Sequence, residues 1–366
     1  MNKILFIPGL DKNHKYGGGA ICSIRNYECL KKCGEVILSE MEMEKKSFLK
    51  KVFNFFTSSI PLCTGKKGER TILNEIKKSK CDIVFINNSF FGGIIPKIKK
   101  YKVRVITFFH NVEITYLKEV EKISLKNRLK ANAVMKSEKK CLKYSDAVIF
   151  LNERDKKEAS RLYAKYFCAD KAHIIPATFQ DDFSIQDKEY ILFQKKNGIK
   201  NALFFGSSFA PNYNGIRWFI RNVLDKISCN LKIVGVGFDK YKDELSGDRT
   251  EILGAVPDMK QYILDSDFIV MPIFEGSGMK IKTAEALMYG KTIFGSNEAF
   301  EGYDLDFEKV GGLCNTADEF IEKINKKIAD HNISVFNEYS RDIYEKNFSN
   351  QIAVNIFNKI LDKAVQ

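Results

Sequence analysis

The sequence predicts an α/β protein built from two doubly wound parallel-sheet domains, and three observations predict it. Short apolar runs that suit buried strands alternate with stretches of helical periodicity along most of the chain. The alternation breaks in a polar segment at 177–188, just after Pro176, and then restarts with the same grammar. At 366 residues and 45% hydrophobic content, the chain can bury more than one core. The expected limits are 1–180 for the first domain, 181–348 for the second and 349–366 for a closing helix.

The first domain opens with a strand over 3–8, a loop ending in Tyr16-Gly17-Gly18-Gly19, and a helix over 20–33. Consecutive glycines permit positive φ and close backbone approach, so Gly18 and Gly19 are candidates to face a ligand, with a merely flexible loop as the alternative. Residues 41–67 include SFLKKVFNFF, in which Phe48, Leu49, Val52, Phe53, Phe55 and Phe56 alternate with lysines. Two readings stand: a peripheral contact with an anionic membrane, or a helix burying its aromatic face on its own domain, the commoner fate of phenylalanine. Strands follow at 83–87 and 103–109, the second ending at His110 and Asn111. Open α/β sheets bind ligands outside the C-terminal ends of their strands. That makes His110 a candidate to hydrogen-bond a phosphate or a sugar hydroxyl, or to hold a carboxylate such as Glu113. A long polar helix at 125–143, a strand at 147–151 and a helix starting at 152–155 complete the domain.

The second domain reads as a strand at 202–205, a loop at 206–215, a helix at 216–227, a strand at 231–234, a short strand from 251 and a helix at 259–266. Gly235-Val236-Gly237 lacks the third glycine and the later acidic residue of a dinucleotide fingerprint. Asp265-Ser266-Asp267 sits at a helix end before a strand, where aspartates cap and solvate in preference to clamping a metal, so no metal site is expected.

Residues 269–302, IVMPIFEGSGMKIKTAEALMYGKTIFGSNEAFEG, carry the densest chemistry. A buried strand breaks into Gly276, Ser277 and Gly278, and from Met279 the apolar residues recur at helical spacing until Gly290 stops the helix. A helix that starts at a glycine turn offers unpaired backbone N–H groups and the positive end of its dipole to a large anion such as diphosphate. Ser277 adds a hydroxyl, and Lys280 or Lys282 adds charge in a turn where a cation opposes the dipole and is better explained by an anionic ligand. Glu285, further along the helix, can accept two hydrogen bonds from the hydroxyls of a ribose. The bland alternative is the ordinary strand–glycine–helix joint of any α/β protein, with its lysines in solvent.

Composition narrows the classes. Fifty-nine basic against 46 acidic residues give a net charge of +13, which favours an anionic partner, and no nucleic-acid module accompanies it. Nine cysteines without a CxxC pair argue for reduced thiols over a disulfide frame or zinc site. The chain has no apolar run of 18 residues, and its N-terminus enters a strand too early for a secretory signal, so a cytoplasmic protein is expected.

LFFGSSFAPNYNGIRWFI, LKIVGVG, ILGAVPDMKQYILDSDFIVMPIFEGSGMKIKTAEALMYGKTIFGS and EAFEGY follow the order and spacing of the C-terminal domain of family 4, or group 1, glycosyltransferases. The glycine run near the N-terminus, the strand ending in His110, and SDAVIFLNERD resemble the first domain of the same enzymes. The resemblance implies the GT-B arrangement of two facing Rossmann-like domains that close by a hinge near 176–190, with the nucleotide-sugar held by the second domain, the acceptor by the first, and the closing helix crossing back to the first. By that likeness Gly276, Ser277, Gly278 and Met279 hold the donor diphosphate and Lys282 neutralises it. Glu285 holds the ribose, Gly206 and Asn212 line the donor site, and His110 and Glu275 serve the transferred sugar. Two features depart from the pattern. The usual pair of glutamates has seven residues between them, which places Ser277 opposite Glu285, whereas Glu275 has nine between; and the loop SSFAPNYNG has no lysine or arginine before Arg217. Diphosphate charge then rests on Lys280, Lys282 and backbone groups.

The expected activity is a metal-independent, retaining transfer of a sugar from a nucleotide diphosphate-sugar to a glycan or lipid-linked acceptor of a bacterial surface polysaccharide, at the inner face of the membrane. The nucleotide-sugar is a co-substrate, and no cofactor is expected. A sugar-nucleotide epimerase, a noncatalytic glycan-binding scaffold and a basic nucleic-acid binder are the rival readings.

Overall fold

The first sheet is assembled from runs with almost no polar residue. β1 (Lys3–Ile7), β3 (Ile83–Ile86), β4 (Arg104–Phe109) and β5 (Ala147–Phe150) are buried along nearly their whole length, which is what strands covered by helices on both faces require. The computed structural model describes residues 2–9, 18–41, 58–60, 63–120, 125–193, 199–276, 278–330, 333 and 336–362. Within these the chain divides into two units, Met1–Pro176 with Asn350–Gln366, and Ala177–Ser349.

In the first unit, β2 (Glu35–Leu38) and β6 (Ala172–Ile174) join those four strands in the order β2-β1-β3-β4-β5-β6, with every pair parallel. Parallel neighbours need crossovers, and helices supply them. These are α1 (Gly18–Lys31), α2 (Gly65–Ser79), α3 (Ile95–Ile98), α4 (Glu113–Val120), α5 (Leu125–Tyr144) and α6 (Glu153–Leu162). Asn152 starts α6 by accepting the Asp155 amide on its side chain at 2.7 Å. A 3-10 segment, Ser89–Ile94, leads from β3 toward α3. The strand order reverses direction between β1 and β3, so the unit has its topological switch there.

The second unit carries α7 (Ile185–Phe193), β7 (Lys200–Phe205), α8 (Ala210–Asn222), β8 (Cys229–Val234), α9 (Lys242–Leu245), β9 (Thr250–Leu253), α10 (Lys260–Asp265) and β10 (Phe268–Met271). It continues through α11 (Ile281–Met288), β11 (Thr292–Gly295), α12 (Phe307–Val310), β12 (Gly311–Leu313), α13 (Ala317–Ala329) and α14 (Glu338–Asn347). Its sheet order is β12-β11-β10-β7-β8-β9, again parallel throughout, which is the doubly wound dinucleotide-fold order with the switch between β7 and β10. α15 (Asn350–Asp362) then belongs to the first unit. Phe357 meets Phe85 edge-on at 5.8 Å, and Arg104 Nη1 donates to the Leu361 carbonyl at 3.2 Å.

Several local expectations change. Residues 206–215 do not run as a loop, because α8 begins at Ala210 with Pro211 in its first turn, where a missing N–H costs nothing. Gly215 lies inside that helix because the Pro272 carbonyl oxygen passes 1.8 Å from where a Cβ would stand. The polar segment at 177–188 already contains the start of α7. The sequence reading passes over α2, β2, β6, β11, β12, α13 and α14. The SFLKKVFNFF stretch, within 42–57, lies outside the described residues. All nine cysteines are free thiols. Among the described residues, no helix is long and apolar enough to cross a membrane.

Candidate functional site

The switch between β7 and β10 lies at the C-terminal edge of the second sheet, where such folds bind ligands, and positive-φ glycines and the Lys282 ammonium stand there. β7 ends at Gly206, whose φ of +141° suits glycine alone. β10 ends in the turn that holds Gly276 at φ +126° and Gly278 at φ +68°. Ser277, between them, lies outside the described residues. Met279 is buried, and its sulfur accepts the Ala177 amide at 3.5 Å.

Lys282 sits in the first turn of α11. Its Nζ donates to Asn212 Oδ1 at 2.9 Å and lies 4.6 Å from the centre of the Phe204 ring. Asn212 is fixed in turn, donating from Nδ2 to the Ser207 carbonyl at 2.8 Å. A Cβ on Gly206 would lie 2.6 Å from the ammonium, so the glycine makes room for it. Among the described residues no carboxylate comes within ion-pair distance of Lys282. Burial, and then the charge of Lys280, lower its pKa to about 7 against the opposing pull of Glu285. An ammonium held this way gains most when an anion arrives.

Lys280 differs. Its Nζ binds Glu298, from the segment after β11, at 2.5 Å and the Gly278 carbonyl at 3.0 Å, so its charge is already met. Tyr303 ties the same place together, donating to the Lys280 carbonyl at 2.9 Å and accepting the Ala284 amide at 3.2 Å. Arg217, the first cation after β7, is paired with Glu244 at 2.8 Å. Of these three cations, Lys282 is the one that no carboxylate neutralises.

Glu285 follows Lys282 by three positions, on the same helical face. Its carboxylate makes no hydrogen bond among the described residues. Burial, and then the charge of Asp182, raise its pKa to about 7, with Lys282 opposing and Asp258 adding to the rise. Asp182 is held by the Tyr289 hydroxyl at 2.8 Å. Asp182, Asp258 and Tyr289 escaped the sequence reading, since nothing in their spacing ties 182 and 258 to 285. Glu275 is exposed on the turn and makes no hydrogen bond among the described residues. Asp267, buried under β7, accepts the Asn201 amide at 2.7 Å, and Asp265 accepts the Tyr190 hydroxyl at 2.7 Å. A cavity of about 350 Å³ lined by Asn201, Asn230, Arg249 and Glu251 lies at the opposite edge of this sheet, where strands begin and α/β folds do not place their ligands.

In the first unit, Gly18 and Gly19 open α1, while the preceding turn, 10–17, lies outside the described residues. His110 caps β4 in a buried position, with Nε2 hydrogen-bonded to the Asn87 carbonyl at 2.8 Å and its ring 5.1 Å from Phe108. Nδ1 is buried, and the ring's other polar neighbour is the Cys22 thiol. Burial disfavours the imidazolium, but Cys22, the Asn87 carbonyl and Glu113 together raise its pKa. Burial likewise opposes the Cys22 thiolate, yet Arg25, whose Nη2 reaches Sγ at 3.1 Å, and His110 lower the thiol to about 7. Asn87 is braced by Asn26 and Ser23, each at 2.7 Å. The Asn87-Asn88 pair closing an apolar strand was the sequence signal for this support.

Residues 199–330 match the family profile described as "Glycosyl transferases group 1". Within the second unit, that stretch is similar to the group 1 glycosyltransferases. The match spans β7 to α13, and so includes Gly206, Asn212, Lys282 and Glu285. Solved structures similar to the whole chain share its fold. Sucrose-phosphate synthase from Thermosynechococcus elongatus aligns with 100% of this chain and 99% of its own at 15% identity and a TM-score of 0.74. HepE of Anabaena, in complex with UDP-glucose, aligns over 100% of both chains at 16% identity and a TM-score of 0.64. A glycosyltransferase from Rickettsia africae covers 98% of each at 16% identity and a TM-score of 0.66. A comparison with curated protein sequences gives no match. The fold is GT-B: two doubly wound parallel α/β units.

Proposed function

We propose that the chain transfers a sugar from a nucleotide diphosphate-sugar to a glycan or lipid-linked acceptor of a bacterial surface polysaccharide, with the donor held by the second unit and the acceptor by the first. One observation carries the reading: the Lys282 ammonium, without a carboxylate partner among the described residues, stands against Gly206 and Asn212 from the first turn of α11, and Glu285 follows three residues later. In the transfer the anomeric C–O bond breaks and its electron pair stays on the diphosphate, while the acceptor hydroxyl oxygen bonds to the anomeric carbon and releases its proton. Charge therefore grows on the leaving diphosphate. Lys282, Gly278 and the Ile281 and Lys282 amides at the start of α11 meet it without a metal, and the Glu285 carboxylate accepts the ribose hydroxyls. His110 and Glu275 serve the transferred sugar, which keeps its anomeric configuration. The first unit works at the inner face of the membrane. UDP-sugars are the first donors to try, since HepE was solved with UDP-glucose.

Thermal-shift screening against UDP-, GDP-, CMP- and dTDP-sugars identifies the donor by the ligand that raises the melting temperature. With that donor, Lys282→Ala and Glu285→Ala should each lower kcat/KM by about tenfold to a hundredfold, the loss expected for charge-assisted hydrogen bonds. Full turnover in both variants overturns the site. Product analysis by NMR separates transfer from epimerisation, and activity in excess chelator tests the metal-free assignment.

A further inference from the structure

The first unit holds a cavity of about 280 Å³ that no part of the donor chemistry uses. Among the described residues, three segments border it: residues 58–59, the 3-10 segment after β3, and the middle of α5. Their close approach is built in. A Cβ on Gly92 would lie 2.0 Å from the Ser137 carbonyl oxygen, and one on Gly93 would lie 1.6 Å from that of Ser59, so both positions require glycine for the walls to meet. Ser137 Oγ donates to the Ser89 carbonyl at 2.6 Å and locks α5 to the 3-10 segment.

The lining is basic and amphipathic. Lys136 and Lys140, one helical turn apart, both border the cavity, and neither makes an ion pair or a hydrogen bond among the described residues. Among the described residues, no aspartate or glutamate lines it. Two nearby acids are neutralised: Glu69 is paired with Lys97, and Glu138, the sole acid of α5, is buried with a pKa that burial raises to about 8, against hydrogen bonds from Tyr163 and the Glu113 amide. Asn132 and Ser58 add polar groups, and Phe90 and the 51%-exposed Leu129 add apolar surface. Two unmatched ammonium groups beside exposed hydrocarbon fit an anion that carries an alkyl chain.

The cavity also has a position. Its 3-10 wall continues directly from Asn87, whose carbonyl holds His110, so it lies at the C-terminal edge of the first sheet. We propose that this cavity binds the phosphate and the first carbons of the acceptor's lipid, with Lys136 and Lys140 on the phosphate and Leu129 and Phe90 on the chain. The proposal rests on the reading that the first unit takes the acceptor, and it names that acceptor's class: a sugar or glycan attached to an alkyl or prenyl phosphate.

The test titrates the whole protein with n-octyl phosphate, inorganic phosphate and n-octanol by calorimetry, with no donor present. Octyl phosphate should bind at least about tenfold more tightly than either fragment, because it alone engages both halves of the site. Lys136→Ala/Lys140→Ala should weaken it by about tenfold or more; both are exposed helix positions where alanine is well tolerated. Leu129→Ser should weaken octyl phosphate while leaving inorganic phosphate unchanged. Equal binding of octyl phosphate to wild type and the double variant overturns the proposal. Inorganic phosphate binding as tightly as octyl phosphate overturns the lipid assignment in favour of a free-anion site. Recruitment to phosphatidylglycerol vesicles with no response to octyl phosphate assigns the lysines to a membrane surface and overturns it too. Since these titrations contain no nucleotide, a failed donor screen would sink the transferase reading alone.

Discussion

Raising the pH should weaken donor binding, because Lys282 is a cation that loses its proton within reach of neutrality. In the free protein its pKa is about 7. A donor diphosphate placing one negative charge about 4 Å from the ammonium, at an effective dielectric of about 20, contributes about 4 kcal/mol, or about 3 pH units, so the bound lysine titrates near 10. The group is protonated in the complex and mostly neutral in the free protein across the interval between the two values. Binding there takes up about 0.9 proton at pH 8, and affinity falls about 20-fold from pH 8 to pH 9.5. Glu285, whose pKa is about 7, is already about nine-tenths ionised at pH 8 and adds little to the slope from there to pH 9.5. A nucleotide-sugar has no diphosphate proton left to lose in this range, which makes it a cleaner probe than the free nucleotide. The assay is calorimetric titration in buffers of different ionisation enthalpy, with Lys282→Met as the control that should flatten the pH dependence. A wild-type affinity constant within about twofold over this range, with no proton uptake, would refute the argument.

Three further outcomes follow from the geometry. Gly206→Ala puts a methyl 2.6 Å from the Lys282 ammonium at a φ of +141°, and should cost about 1–3 kcal/mol of stability and weaken donor binding, read by urea melts and donor titration. Gly215→Ala gains about 1 kcal/mol of helix propensity but drives a methyl against the Pro272 carbonyl, so a net loss of about 1–2 kcal/mol is expected in the same melts, and a gain would contradict the packing. Burial holds Glu113 to about 7 and Glu138 to about 8, against an unfolded carboxyl near 4.3. The folded chain keeps protons the unfolded chain has lost, so this stabilisation is full below about pH 4 and declines by about 1–3 kcal/mol per pH unit until about pH 8. Glu113→Gln/Glu138→Gln should flatten that decline, and an equal slope in the variant would count against it.

Strands with few polar residues were readable because a parallel sheet covered on both faces tolerates few of them, and β1, β3, β4 and β10 announce themselves that way. The elements passed over are of other kinds. β2 is half exposed at the sheet's edge, and β12 has two glycines in three residues, so neither presents an apolar run. α13 carries a full capping box, Thr316 with Glu319, a signal that was present in the sequence and was not used. Gly215 looked like loop because glycine weakens a helix, and only the Pro272 carbonyl beside it explains its place.

What the sequence determined by itself was the alternation of elements, the glycine turns and the helix that follows Gly278, since each depends on residues near one another along the chain. The roles of the charges were decided elsewhere. Lys280 and Lys282 are two residues apart and chemically identical, yet one meets Glu298 and the other meets Asn212, Phe204 and the gap left by Gly206. Those partners come from positions 18 to 78 residues distant along the chain, brought together by strand order and helix packing. An ionisable group's charge state is set by the solvent and the charges around it, and only the tertiary structure arranges them.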